Sequence, residues 1–270
     1  MAQGSNIYGQ PLRQLWQLFI GMAIRYAKRP CQNPIFTNGP DSRKQTEANG
    51  GEMGDTSSLT ARLADAGVVP VIRLSSQAQA VPLAETLSQG GLPVAEITLR
   101  TSCALECIKM INSTSPDFLV GAGTVITMDQ AKAVAEAGAK FIVSPGLVPE
   151  IVSWCLDQNM PVFPGVCTPT EICRALSFGL KDLKFFPASQ YGGLSTIKTL
   201  LSVFNDIRFM PTGGIDLKAC GDYLKTQGVL CCGGSFVTPL DLIEKGDYPA
   251  VLEIVKQTVA AVAAARNTAA

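Results

Sequence analysis

The sequence predicts a (β/α)8 barrel, and three observations carry that expectation. Eight short apolar runs recur at even spacing from about residue 58 onward. Amphipathic segments separate them, and glycines stand where those segments should end. Strands that alternate with helices build a parallel sheet. Eight such repeats favour a closed barrel over the rival arrangement, a doubly wound open sheet. The runs are VVPVIRL (68–74), VAEITLR (94–100), FLVGAGTV (118–125), FIVSPG (141–146), PVFPGV (161–166), DLKFFPA (182–188), RFMPTGG (208–214) and VLCCGGSFV (229–237). Helices are expected at 81–88, 129–137, 149–157 and 194–204, with helix-ending glycines at 67, 90, 91, 138, 179 and 228. The chain has 270 residues, and its barrel part, 58–270, is a length that one such domain fills.

Residues 1–57 stand apart as an N-terminal extension. The first 40 carry Arg13, Arg25, Lys28 and Arg29 and no acidic residue. Over 11–26 the polar positions Arg13, Gln14, Gln17, Gly21 and Arg25 leave one polar stripe on a broadly apolar surface, the pattern of an amphipathic helix. Its apolar stretch is interrupted too often to span a bilayer, which takes ~20 residues. Residues 37–58 read as a polar linker. Three roles fit the extension: a targeting or membrane-surface helix, a helix that binds a protein partner, or an appended segment with no native role. The last is favoured, and Met53, directly ahead of the barrel, suits a translation start.

Composition narrows the chemistry. Hydrophobic residues make up 47% and charged residues 16%, so a large core can be buried. Lys plus Arg and Asp plus Glu each number 22, a neutral balance with no electrostatic footprint for nucleic acid. Any anionic substrate must be held by a local site. Histidine is absent, which removes the usual neutral-pH acid–base residue and the usual ligand of catalytic zinc. The nine cysteines follow no disulfide or metal-knuckle spacing and are expected to be buried, reduced thiols of a cytoplasmic enzyme.

Strands of a closed barrel should be apolar on both faces, so polar residues inside these runs are the anomalies to explain. In VAEITLR, side chains alternate, which puts Glu96, Thr98 and Arg100 on one face and Ala95, Ile97 and Leu99 on the other. Glu96 then points into the barrel, as a proton carrier or as half of a structural pair with Arg100. In DLKFFPA, Lys184 stands among Leu183, Phe185 and Phe186. Desolvation there favours the uncharged amine, the nucleophilic form, although a buried pair with Glu96 fits the same position. Lys181, ahead of the strand, reads as a surface charge. PTGGI (211–215) and CGGS (232–235) end the seventh and eighth runs, the usual phosphate loops of such barrels; two tight turns are the plainer alternative. Arg73 closes the first run and faces either the site or solvent. Thr168 to Glu171 fits a helix capping box.

Taken in order, EITLRT, VGAGTV, SPG, PGVCTPTE, LKFFPA, PTGGI and CCGGS resemble the bacterial 2-keto-3-deoxy-6-phosphogluconate (KDPG) / 4-hydroxy-2-oxoglutarate (KHG) aldolase family over about residues 58–265. The resemblance implies a class I aldolase that cleaves KDPG to pyruvate and glyceraldehyde 3-phosphate, with cleavage of KHG to pyruvate and glyoxylate beside it. It implies Lys184 as the imine-forming residue and Glu96 as the proton carrier. Arg100 and Thr124 would hold the pyruvyl carboxylate, with Pro145 lining that end. Gly213, Gly214 and Ser235 would bind the phosphate, and Arg73, Thr212 and Gly234 complete the candidate substrate-binding set. The family is typically homotrimeric and takes no metal or organic cofactor. The residues suit this chemistry: a protonated imine is an electron sink for the carbanion left by C–C cleavage, and a guanidinium grips a carboxylate at two points. The rivals are an aldolase for the galacto epimer, a phosphate-binding isomerase without a Schiff base, and a barrel used as an assembly scaffold.

Overall fold

Each apolar run contains a strand that is mostly buried on both faces, as a parallel sheet covered by helices requires. The computed structural model describes residues 56–267. In chain order these form α1 (Thr56–Ala66), β1 (Val68–Ile72), α2 (Ala80–Gln89), β2 (Val94–Thr98), α3 (Ala104–Thr114), β3 (Leu119–Gly123), α4 (Met128–Glu136), β4 (Ile142–Val143), α5 (Pro149–Asp157), β5 (Val162–Phe163), β6 (Gly165–Val166), α6 (Pro169–Ser177), β7 (Asp182–Phe185), α7 (Gly193–Val203), β8 (Arg208–Pro211), α8 (Leu217–Leu224), β9 (Cys232–Gly234), α9 (Leu240–Lys245) and α10 (Tyr248–Asn267). One sheet runs β5-β4-β3-β2-β1-β9, and a second runs β6-β7-β8. The strand pairs are parallel, and the alternation with helices makes a TIM-like α/β fold.

Helices at 80–89, 128–136, 149–157 and 193–203 match the expected ones to within a residue. Gly67, Gly91, Gly138, Gly179 and Gly228 turn at positive φ after helices, whereas Gly90 stays right-handed. The strands are shorter than the apolar runs. Those runs continue into the loops beyond the strand ends, where Pro145, Pro187 and the glycine pairs are as apolar as a strand but do not pair like one. PVFPGV, read as one strand, divides into β5 and β6 at Pro164, which has no N–H to give the ladder. Its carbonyl still accepts from the Lys184 N–H at 3.0 Å. Residues 56–58, read as the end of a linker, belong to α1. The amphipathic segment of the N-terminal extension and Met53 lie outside the described residues. Among the described residues no helix is long and apolar enough to cross a membrane.

Three capping boxes fix the chain beyond strand ends. Ser76 and Gln79 form one after β1, Thr127 and Gln130 one after β3, and Thr168 and Glu171 the expected one after β6. In the last, Glu171 Oε2 accepts from the N–H groups of Cys167 at 2.8 Å and Thr168 at 3.0 Å. Asp216 caps α8 by accepting from the Ala219 N–H at 2.7 Å. At the opposite strand ends, Arg208 and Asp182 form a two-point pair at 2.7 and 2.9 Å, which holds the register of β7 on β8. Lys181 pairs with Asp206 at 3.7 Å on the surface, as expected of a solvated charge.

The cysteines are free thiols in the described part of the chain, but not all are buried. Cys173 is exposed, because it stands on the outer face of α6, and Cys103 and Cys167 are half-buried. Burial, with Cys103 beside it, pushes the Cys107 thiol up to about 12, and burial alone does the same for Cys155.

The core is close-packed around aromatic rings. Phe141 meets Phe163 edge-on at 6.0 Å between centroids, and Phe185 meets Phe209 at 5.6 Å. Gly121 on β3 is what admits the Phe141 ring, since a Cβ there would overlap it. Gly121→Ala should therefore destabilise the protein by about 1–3 kcal/mol, the cost of overpacking a filled core. Urea unfolding of the variant measures this, and an unchanged midpoint would show that Phe141 moves freely.

Candidate active site

The buried charges of β2 and β7 meet across the strand interior. Glu96 is 1% exposed and Lys184 5% exposed, and Lys184 Nζ donates to Glu96 Oε1 at 3.4 Å. β2 belongs to the larger sheet and β7 to the smaller, so the contact spans the space between them. The Lys184 Nζ also stands 5.1 Å from the centre of the Phe186 ring, within range of a cation–π contact. Glu96 Oε2 is buried and accepts no hydrogen bond among the described residues. An ion pair at this length with one oxygen unmatched recovers little of the desolvation it costs, so it is poor as a structural staple. It is well suited to proton exchange, with a free carboxylate oxygen beside an amine. The partner of Glu96 is thus Lys184 and not Arg100, which corrects the Glu–Arg pairing allowed by strand alternation.

One glycine makes room for this pair, and a second admits the neighbouring loop. A Cβ on Gly123 of β3 would overlap the Glu96 carboxylate. Gly165 of β6 lies in register with Lys184, and a Cβ there would overlap the backbone of Pro145. The glycines connect the pair to two expected site residues. Thr124 directly follows Gly123 and has φ 61°, an unusual conformation for a β-branched residue that costs about 1–3 kcal/mol where it occurs. Pro145 stands against Gly165.

Beyond the pair, at the C-terminal strand ends, lies a cavity of about 560 Å³. Arg73, Arg100, Thr212, Gly213, Gly214 and Ser235 all line it. Thr124, Pro145 and Gly234 do not, and neither do Glu96 and Lys184, which are buried beneath it in the strands; Gly234 is buried, where a Cβ would meet the Phe236 ring. Arg100 stands two residues past the end of β2 and is exposed, because the strand stops at Thr98. Thr98 lines the cavity two residues beyond Glu96, and its hydroxyl donates to the Ile72 carbonyl at 2.8 Å. Gly213 and Gly214 turn at φ 100° and 69°, a succession that glycine holds at low cost and that lets the loop after β8 fold back on the one after β7. There the Ala188 and Ser189 N–H groups donate to the carbonyls of Thr212 and Gly213 at 2.8 and 3.1 Å. A larger cavity, about 770 Å³, opens among Arg62, Phe118, Lys140 and Met160 at the N-terminal strand ends, away from the ion pair. Among the described residues no three His, Cys, Asp or Glu side chains gather as a metal site would need.

The model of the KDPG and KHG aldolases matches residues 59–254. The chain belongs to this aldolase family. It is 43% identical to the 2-dehydro-3-deoxy-phosphogluconate aldolase of Dickeya dadantii over 193 residues, 72% of this chain and 91% of the relative. The KDPG aldolase of Legionella pneumophila, solved with pyruvate as a covalent carbinolamine intermediate, superposes with a TM-score of 0.72 at 38% identity and covers 74% of this chain and 97% of its own. The KDPG aldolase of Zymomonas mobilis with 3-phosphoglycerate gives a TM-score of 0.71 at 41% identity, covering 77% and 96%.

Several residues at this aldolase cavity carry no sequence signal of a site. Phe186, Pro187 and Gln190 enter from the segment after β7, and Thr238 from beyond β9, near Gly233 of the expected CGGS loop. Phe186 and Pro187 pass for strand in an apolar run. Gln190 and Thr238 are single polar residues in loops, where nothing in the periodicity marks them.

The Gly123 contact gives a test of the geometry. Gly123→Ala should push the Glu96 carboxylate away from the amine and lower retro-aldol turnover on the order of 10²-fold, the scale for a misplacement of about 1 Å. Thermal unfolding measured alongside separates this from loss of fold. Full turnover in a folded variant would mean that the carboxylate position is not what the reaction depends on.

Proposed function

We propose that this chain is a class I aldolase that cleaves KDPG to pyruvate and glyceraldehyde 3-phosphate through a Schiff base on Lys184. The observation that carries the proposal is the 3.4 Å contact of the Lys184 amine with the buried Glu96 carboxylate, on two strands whose next same-face residues toward the C-terminal ends, Thr98 and Phe186, line a cavity with two arginines. The Lys184 amine adds to the C2 ketone, and loss of water leaves a protonated imine. Glu96 takes the proton of the C4 hydroxyl. The C3–C4 bond then breaks, the aldehyde departs, and its electron pair is held as the enamine. Glu96 returns the proton to C3, and water releases pyruvate from Lys184. In this reading Arg100 and Thr124 hold the carboxylate, Pro145 lines that end, Gly213, Gly214 and Ser235 bind the phosphate, and Arg73 and Thr212 complete the substrate-binding set. KHG, shorter and without phosphate, is a second substrate of the same amine.

We also infer that the strands close into a (β/α)8 barrel. β5 and β6 count as one strand across Pro164, and isolated bridges pair Phe209 with Val229 and Thr212 with Gly233, joining β8 to the segment of β9. Residues 1–57 are an extension outside the catalytic domain, 58–270, which the family match from residue 59 supports. The family resemblance supports a cytoplasmic homotrimer that works without a metal or organic cofactor.

Borohydride added with pyruvate should inactivate the protein irreversibly, and peptide mapping should place the reduced adduct on Lys184 rather than Lys181. Lys184→Arg should abolish turnover, because a guanidinium does not form the imine. Glu96→Gln should still be trapped, more slowly, with turnover lower on the order of 10²–10⁴-fold. An active Lys184→Arg, or an adduct elsewhere, would overturn the assignment. A chain starting at Met53 should keep its kcat/KM within about twofold, since substitutions away from the site rarely shift energies by more than ~0.5 kcal/mol. A large loss in a folded protein would place part of the extension at the site.

A further inference from the structure

We propose that Gln190 is a specificity-determining residue of this cavity, one that donates a hydrogen bond to the phosphate of the substrate. The inference rests on the aldolase reading for the identity of the substrate, and on geometry for the residue. Gln190 sits in the short turn after β7 and lines the same cavity as Gly214 and Ser235. Its amide has a set orientation. The Ser189 hydroxyl donates to Gln190 Oε1 at 3.0 Å, which engages the acceptor end and leaves the Nε2 donors for another partner. That Nε2 makes no hydrogen bond within the described residues, and it lies 3.7 Å from where a Cβ on Gly214 would stand. The free donor is therefore beside the glycine pair that turns at positive φ.

The turn that carries Gln190 is itself fastened to that loop. The Ser189 N–H donates to the Gly213 carbonyl at 3.1 Å, so Gln190 and the glycine loop hold a fixed relation. Gln190 is exposed, and what sets it apart from other surface glutamines is this fastened backbone and its place on the cavity wall. The position suits a group that is rich in acceptors and extends past Thr212 toward the outer cavity. A terminal phosphate offers this, and a short unphosphorylated keto acid does not reach it. Being neutral, the amide adds a donor without adding to the charge of Arg73 and Arg100, so it discriminates by reach and not by net charge.

The test separates this residue from the reaction. Calorimetry with 3-phosphoglycerate and with glycerate reports on the phosphate contact without any turnover. Gln190→Ala should weaken 3-phosphoglycerate binding about tenfold, the scale of a hydrogen bond to a charged group, and leave glycerate unchanged. Gln190→Glu, which sets a carboxylate against the phosphate, should weaken it further, again sparing glycerate. In turnover, Gln190→Ala should raise KM for KDPG with kcat retained, and leave KHG kinetics unaltered. Unchanged 3-phosphoglycerate affinity in both variants would overturn the proposal. So would an equal loss for both ligands, which is the mark of a residue that only shapes the loop. Pyruvate release by the unaltered protein answers separately for the aldolase reading, because the binding result stands whichever way that assay falls.

Discussion

The organising constraint of this molecule is a cation and an anion held together where almost no water reaches. A lysine and a glutamate on two strands of different sheets need a common interior, and the fold supplies one between β2 and β7. Their desolvation is unfavourable, and a 3.4 Å contact with one carboxylate oxygen unmatched returns only part of it. The surrounding structure carries the difference. Strands buried on both faces, paired aromatic rings and three capping boxes hold β2 and β7 in place through interactions that do not involve the pair. The site is thus a local loss of stability carried by a scaffold with enough apolar burial to bear it.

Function follows from how the polar groups are sorted along the cavity. The amine and carboxylate lie at the strand level, flanked by Thr124 and Pro145 through the two glycines. The arginines and the glycine turns lie one level out, where Arg73 and Arg100 are exposed and reach anions entering from solvent. A substrate with a ketone at one end and a phosphate at the other spans both levels.

Much of this was legible in the residues, for a physical reason. A charge inside an apolar alternation is conspicuous, which is why Glu96 and Lys184 stood out. The periodicity of helices and the chemistry of Thr168 and Glu171 placed helix bounds closely. The pairing of Glu96 with Lys184, across 88 residues, was one of two partners the residues allowed, alternation along β2 offering Arg100 as the other. Two things were hidden. Strand ends were over-read, because Phe186, Pro187 and the Gly213–Gly214 turn are apolar or neutral yet belong to loops. Gln190 carries no periodic signal at all; only its placement beside Gly214 distinguishes it from any surface amide.

The missing side chain at Gly123 also bears on what this position can become. A side chain at 123 would meet the end of Glu96, so any substitution there must move the carboxylate from where it meets the amine. A residue with no chemistry of its own thus sets where the proton is held.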